Sequence, residues 1–159
     1  MSSLAKITSI WRHIEEVQKN CFIIAEKLIA NGEDDLARQL LTNSLVHDQS
    51  KLQGIEWMYL HSNDDSDEAV ANRKLAIHQH NSVNPHHPEH WRGGIKNMPT
   101  VFLIEMVADW KSRSSDFGTS LQEWIDNGAA KRFNYTKKTK VYRDIMKYTN
   151  MLVERPFQQ

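Results

Sequence analysis

The sequence predicts an all-α fold, because apolar residues recur at steps of three and four along most of the chain and helix caps and stops punctuate those runs. No stretch alternates apolar and polar residues long enough to make a strand, and there is no internal repeat or low-complexity tract. With 159 residues the chain suits one domain with one core, taken here as residues 1–159. A bundle of about six helices accounts for it.

From Ile7 the apolar positions run through Ile10, Ile14, Val17, Cys21, Ile24 and Leu28 until Asn31-Gly32 supplies a stop. His13 lies one step from Ile14 and four before Val17, so its ring faces the buried side or its margin, where an imidazole needs a partner. A second helix, 33–46, carries Leu36, Leu40 and Leu41, with Glu33, Asp34 and Asp35 where the helix dipole favours acids. It delivers His47-Asp48 at its C-terminal end. After Gly54 and the apolar segment 55–60, the run 61–67 reads as a solvated loop; it lacks the glycine and terminal glutamate of a calcium loop.

A third helix, 67–80, brings His78 and His80 to its end. Pro85, Pro88, Gly93 and Gly94 then break regular structure, placing His86, His87, Glu89, His90 and Trp91 on an irregular loop. Pro99 suits the first turn of a fourth helix, on which Val101, Glu105 and Asp109 share a stripe beside Phe102, Met106 and Trp110. Thr119 with Gln122 makes a capping box for a fifth helix that ends at Asn127-Gly128. Thr136 begins a sixth, with Val141, Ile145, Tyr148 and Leu152 as its buried stripe and Pro156 as its end.

Lys plus Arg at 20 against Asp plus Glu at 20 argues against a broad basic surface for duplex nucleic acid and favours a small ligand. The lone Cys21 excludes an internal disulfide and every Cys-x-x-Cys arrangement, which suits a reducing compartment. Lys6 is the only basic residue of the first ten, and no run approaches the ~20 apolar residues of a membrane span. The expectation is a soluble, cytoplasmic protein with no membrane partner. No feature of the sequence assigns an oligomeric state.

The chemistry concentrates in two clusters, His47-Asp48-Gln49-Ser50-Lys51 and His86-His87-Pro88-Glu89, in a chain with eight histidines. An adjacent His-Asp pair offers an imidazole nitrogen and a carboxylate oxygen to one divalent ion, and the carboxylate can bridge to a second. That combination points to metal-assisted hydrolysis. Lys51 either reaches a phosphate oxygen or is an ordinary surface lysine. Glu105 either orients a ligand or water, or partners an arginine. Arg113, one turn beyond Asp109, suits a phosphate clamp or a surface ion pair. Glu89 is grouped with Lys51 and Arg113 as substrate-binding, and Asp48, Lys51 and Glu105 as catalytic. His78 should face away from His80, while His61 and His90 read as structural or solvent residues. Trp57, Trp91 and Trp110 wall a pocket or fill the core.

In order, His13, His47-Asp48, His80, His86-His87 and Asp109 resemble the HD-domain superfamily, whose members use a first His, a His-Asp dipeptide and a distant helical Asp to bind a divalent metal. The segment 47–51 is similar to the His-Asp-x-Gly-Lys run of the HD-GYP phosphodiesterases, with Ser50 in place of glycine, but the Gly-Tyr-Pro signature is missing. Asn43-Ser44, Gly54-Ile55-Glu56-Trp57, Arg113-Ser114-Ser115 and Phe117-Gly118 extend the likeness to a small HD-like family of bacteria and their phages.

The resemblance implies an HD-like bundle and a metal-dependent phosphohydrolase acting on a phosphorylated small molecule such as a nucleotide, in the host cytoplasm if phage-encoded. It implies one or two divalent transition ions, manganese, cobalt, iron, zinc or nickel ahead of magnesium. His13, His47, Asp48 and Asp109 would hold the first; Asp48, His80 and one or both of His86 and His87 the second. Two alternatives remain at this level: an HD-fold di-iron oxygenase, and a non-catalytic metal- or nucleotide-binding protein.

Overall fold

Helix α5 (Thr100–Phe117) is apolar on nearly every face, and its side chains from Val101 through Ser114 are buried at most positions. Such a helix has to be covered on several sides. α1 (Ser3–Ala30), α2 (Asp34–Ser44) and α8 (Lys140–Val153) pack against it, and α1 also packs along α2 and α8. The computed structural model describes residues 2–153, and among them there is no strand. The predicted end of the last helix at Pro156 lies outside the described residues.

α1 buries Ile10, His13, Val17, Cys21, Ile24 and Leu28, most of the predicted stripe, while Ile14 is half-buried and Ile7 exposed, and it ends at Asn31. α2 is shorter at both ends than the predicted helix; 45–48 form a turn that leads into a 3-10 turn, Gln49–Leu52. α3 (Gly54–Tyr59) is a short helix in the segment read only as apolar, and it packs on α4 (Asp67–Val83). Ser66 caps α4 by accepting from Ala69 N, and α4 runs one turn past His80. The His86–Trp91 stretch is irregular as expected, with short 3-10 turns at Pro88–His90 and Gly94–Asn97.

Three predicted boundaries are corrected. Ser120, not Thr119, caps the next helix by accepting from Glu123 N. Gly128 does not stop it: α6 (Leu121–Glu123) passes into a π-helical segment, Trp124–Ala129, and on into α7 (Ala130–Phe133), where Asn134 ends the run at a φ of 52°. The last helix starts at Lys140 and not at Thr136, whose carbonyl instead accepts from Thr139 N. No helix among the described residues is long and apolar enough to cross a membrane.

Candidate metal centre

Asp48 lies at the middle of the cluster and is 1% exposed. Its φ of 57° is left-handed, a region that Asp tolerates better than most residues. On a continuing helix, neighbours point about 100° apart. The break at Asp48 lets His47 and Asp48 both turn into the same buried space.

The two carboxylate oxygens of Asp48 face different partners. Oδ2 lies 3.2 Å from His13 Nε2 and 3.5 Å from His47 Nε2, while Oδ1 lies 3.3 Å from His80 Nε2 and 3.4 Å from His86 Nε2. Asp109 Oδ1 adds to the first set, 3.0 Å from His13 Nε2. His87 Nε2 adds to the second, 3.0 Å from His80 Nε2. Three groups among the described residues are each compact enough for one ion, with donor atoms within 4.8 Å of one another: His13, His47 and Asp109; Asp48, His80, His86 and His87; and His47, His86 and Glu105.

The opposite ring nitrogens are held from behind. His47 Nδ1 donates to Glu105 Oε1 at 2.8 Å, and the same oxygen is 3.5 Å from His86 Nδ1. His80 Nδ1 donates to Glu56 Oε2 at 2.8 Å, and Glu56 also accepts from Ser50 Oγ at 2.9 Å. His13 Nδ1 is 3.1 Å from Ser112 Oγ. A carboxylate can only accept, so the proton of His47 and His80 sits on Nδ1 and the Nε2 lone pair points inward.

That leaves an unmet demand. His13 Nε2, His47 Nε2, His86 Nε2, Asp48 Oδ1 and Asp109 Oδ1 are buried side-chain atoms with no hydrogen-bond partner among the described residues. Each such atom costs about 1–3 kcal/mol when left unmet. All five face one shared space, and all are donor types that transition metals accept. The residues present fit a divalent ion, so the cluster could hold metal.

Electrostatics follow the same division. Burial opposes ionisation of Asp109, but the adjacent His13, His47 and His86 side chains hold its pKa well below the usual carboxylate range. Asp48 is lowered in the same way, against its burial, by His47, Lys51 and His13. Burial lowers a histidine's pKa, yet the carboxylates of Asp48 and Glu105 carry His86 up to about 10. His80 goes the other way, to about 3, because burial dominates there.

A cavity of about 580 Å³ opens onto the cluster. Its polar part includes Asp109, His80, His87, Lys51, Arg113 and Arg132, and its apolar part Trp110, Trp124, Phe117, Phe133, Leu60 and Ile77. Lys51 is 5% exposed and pairs with Asp48 Oδ2, which removes the surface-lysine alternative. Arg113 lines the cavity with Nε 4.0 Å from Asp109 Oδ1. Glu89 does not line it; it pairs at 2.7 Å with Arg132, which does.

Among the described residues Glu105 partners histidines and no arginine, and so acts on the cluster from behind. His78 is exposed as expected, and His90 is exposed with Nδ1 2.7 Å from the Ser82 carbonyl. His61 is half-buried on the cavity wall, closer to the site than its sequence context indicates. Trp57 packs under Lys6 and Trp91 against Phe102, so of the three predicted tryptophans only Trp110 reaches the cavity. A larger groove of about 740 Å³ between α1 and α2 contains none of the cluster residues.

Sequence reasoning missed Glu56, Ser112, Arg132 and Trp124. A Glu at 0% exposure was foreshadowed only by its place in the apolar run 55–60. Fold and site together define an all-α protein with a buried His/Asp cluster able to hold metal. The chain matches, over residues 2–155, the family described as "Family of unknown function (DUF5662)", and it belongs to that family. No curated protein and no solved structure matches it.

Proposed function

We propose that this protein is a metal-dependent phosphohydrolase acting on a phosphate ester of a nucleotide or a related small molecule. The observation that carries this reading is the placement of Asp48, whose two oxygens face separate histidine sets beside a cavity lined by three cationic side chains. His13, His47, Asp48 and Asp109 would hold one divalent ion; Asp48, His80, His86 and His87 would hold a second. The nitrogen-rich donor set suits manganese, iron, cobalt, nickel or zinc better than magnesium. Such ions supply an acidified water at neutral pH and positive charge for phosphoryl oxygens.

The protein's own groups complete the site. Lys51, Arg113 and Arg132 offer charge-assisted hydrogen bonds to a phosphate, with Lys51 nearest the cluster. Glu56 and Glu105 keep imidazole lone pairs directed inward. The order of the ligands along the chain, similar to HD-domain proteins, supports the same chemistry. The three cations favour an anionic, phosphorylated substrate, and metal identity with oxygen uptake separates hydrolysis from the oxygenase alternative.

The test is elemental analysis of protein purified without chelator, then a phosphate-release screen over nucleotides and sugar phosphates with manganese, cobalt and magnesium. The expected result is bound transition metal and manganese- or cobalt-stimulated release from at least one ester. Substrate-dependent oxygen uptake by iron-loaded protein, without phosphate release, would replace hydrolysis with the oxygenase reading. Tight nucleotide binding without turnover in any metal would leave a binding protein.

A further inference from the structure

The π-helical segment Trp124–Ala129 is an irregularity that the fold holds in place from several directions. Ile125 and Ala129 are fully buried beneath it. Tyr135 Oη donates to the Ile125 carbonyl at 2.8 Å, and Asp126 accepts from Tyr142 Oη at 2.9 Å and from Lys137 Nζ at 2.7 Å. π turns within helices are uncommon and tend to serve a site, because the widened turn re-aims a side chain. Here the side chain at its start is Trp124.

Gly128 explains how the indole fits. A Cβ at position 128 would come within 2.3 Å of Trp124 Cε3 and 2.5 Å of Cζ3, so the ring lies in the space that any other residue would fill. The glycine is required by close approach, not by a left-handed φ. From that seat Trp124 is half-buried, lines the 580 Å³ cavity, and meets Trp110 edge-on with centroids 5.8 Å apart. Trp110 in turn stacks on Phe133 at 5.9 Å and 11°.

The cavity lining therefore joins a connected aromatic set, Trp110, Trp124 and Phe133, to cations and Asp109, with the Arg132 guanidinium 5.1 Å from the Phe133 ring centroid. The geometry points to Trp124, seated by Gly128 on the π turn, as the residue that sets substrate preference by stacking a nucleobase, so that a nucleoside phosphate is selected over a sugar phosphate. This rests on the phosphohydrolase reading for its phosphate end and on the aromatic wall for its base end. A sugar phosphate satisfies the cations equally and leaves the aromatic wall uncovered. A planar base covers it, and stacking is tolerant of which base is present.

The experiment compares parent, Trp124→Ala, Trp124→Phe and Gly128→Ala, each checked for folding by circular dichroism. The probes are the four ribonucleoside 5′-monophosphates and ribose 5-phosphate, by equilibrium dialysis and by manganese-dependent phosphate release. Trp124→Ala should lower the nucleotide-to-sugar-phosphate preference about 10-fold, within the range for loss of one base-stacking aromatic ring. Trp124→Phe should restore most of it. Gly128→Ala should reproduce the loss although the indole is still present, which a role in bulk stability would not do.

Equal effects on both ligands, or no change in the ratio, would overturn the assignment of Trp124 while hydrolysis by the parent still stands. A parent that binds nucleotides over ribose 5-phosphate but hydrolyses no ester keeps the aromatic subsite and removes the hydrolase reading. A parent that binds neither probe removes both.

Discussion

The two halves of the cluster share Asp48 but are built differently. The Oδ2 half draws His13 from the middle of α1 and Asp109 from α5, both long helices in the core, and it contains a second carboxylate. The Oδ1 half draws His80 from near the end of α4 and His86 and His87 from the irregular loop, and its only carboxylate is the shared one. Anionic charge and rigid support both favour the first half. The comparison teaches that one ion should be bound tightly and structurally, and the other more weakly, on the histidines of the loop.

The largest expected contrast sets Asp109→Asn against His80→Ala. Asp109→Asn should strip the tighter ion and reduce phosphate release on the order of 10³-fold or more, the scale of several kcal/mol of lost charge stabilisation. His80→Ala should lower the metal content by one ion per chain and lower the thermal midpoint without unfolding the protein, because Glu56 loses its histidine partner. If His80→Ala empties the protein of metal while Asp109→Asn keeps it, the ranking of the halves is reversed.

Lys51→Ala comes next. It leaves every metal donor in place, so metal content should hold while kcat falls on the order of 10²-fold, the scale of one electrostatic stabiliser. Loss of metal in parallel with activity would make Lys51 a partner of Asp48 alone. The positioning carboxylates should then separate the halves more finely. Glu105 touches a histidine of each, so Glu105→Gln should weaken metal affinity about 10- to 100-fold at both. Glu56→Gln should do so only at the His80 half; competition with a coloured chelator reads both.

The pH dependence tests the protonation states of the same donors. Metal needs neutral imidazoles, and His86 is raised to about 10, so affinity should climb as pH rises from about 6.5 toward 10. In chelator-treated protein the same raised value contributes stability that is fully present below the ordinary histidine value of 6.5 and lost as pH rises through about 10. Asp109, lowered, contributes stability present above its ordinary value of 3.8 and lost on further acidification. Denaturant midpoints of the metal-free protein across pH would check both signs.

Much of this arrangement was legible beforehand, for identifiable reasons. Helical spacing located α1 and the stripe of Glu105 and Asp109, since period and burial are local properties of the chain. The seven expected ligands could be listed because their order along the chain resembles that of HD-domain proteins, and the fold does bring them together. Glu56 was not legible, since a carboxylate behind a histidine obeys no spacing and depends on how α3 meets α4. Gly128 was misread because a glycine late in a helix ordinarily signals a stop; only the position of the Trp124 ring shows that it makes room instead.

The central claim is that Asp48 joins two ion sites, and the most direct measurement is the number of metal ions per chain in parent and Asp48→Asn protein, both loaded with manganese and desalted. Asn tolerates the left-handed backbone at this position and keeps the side chain's shape, so the variant removes charge with little change in fold. The expected result is two ions per chain in the parent and none retained by a folded Asp48→Asn. Two ions retained without the Asp48 carboxylate, or none bound by the parent, would contradict it.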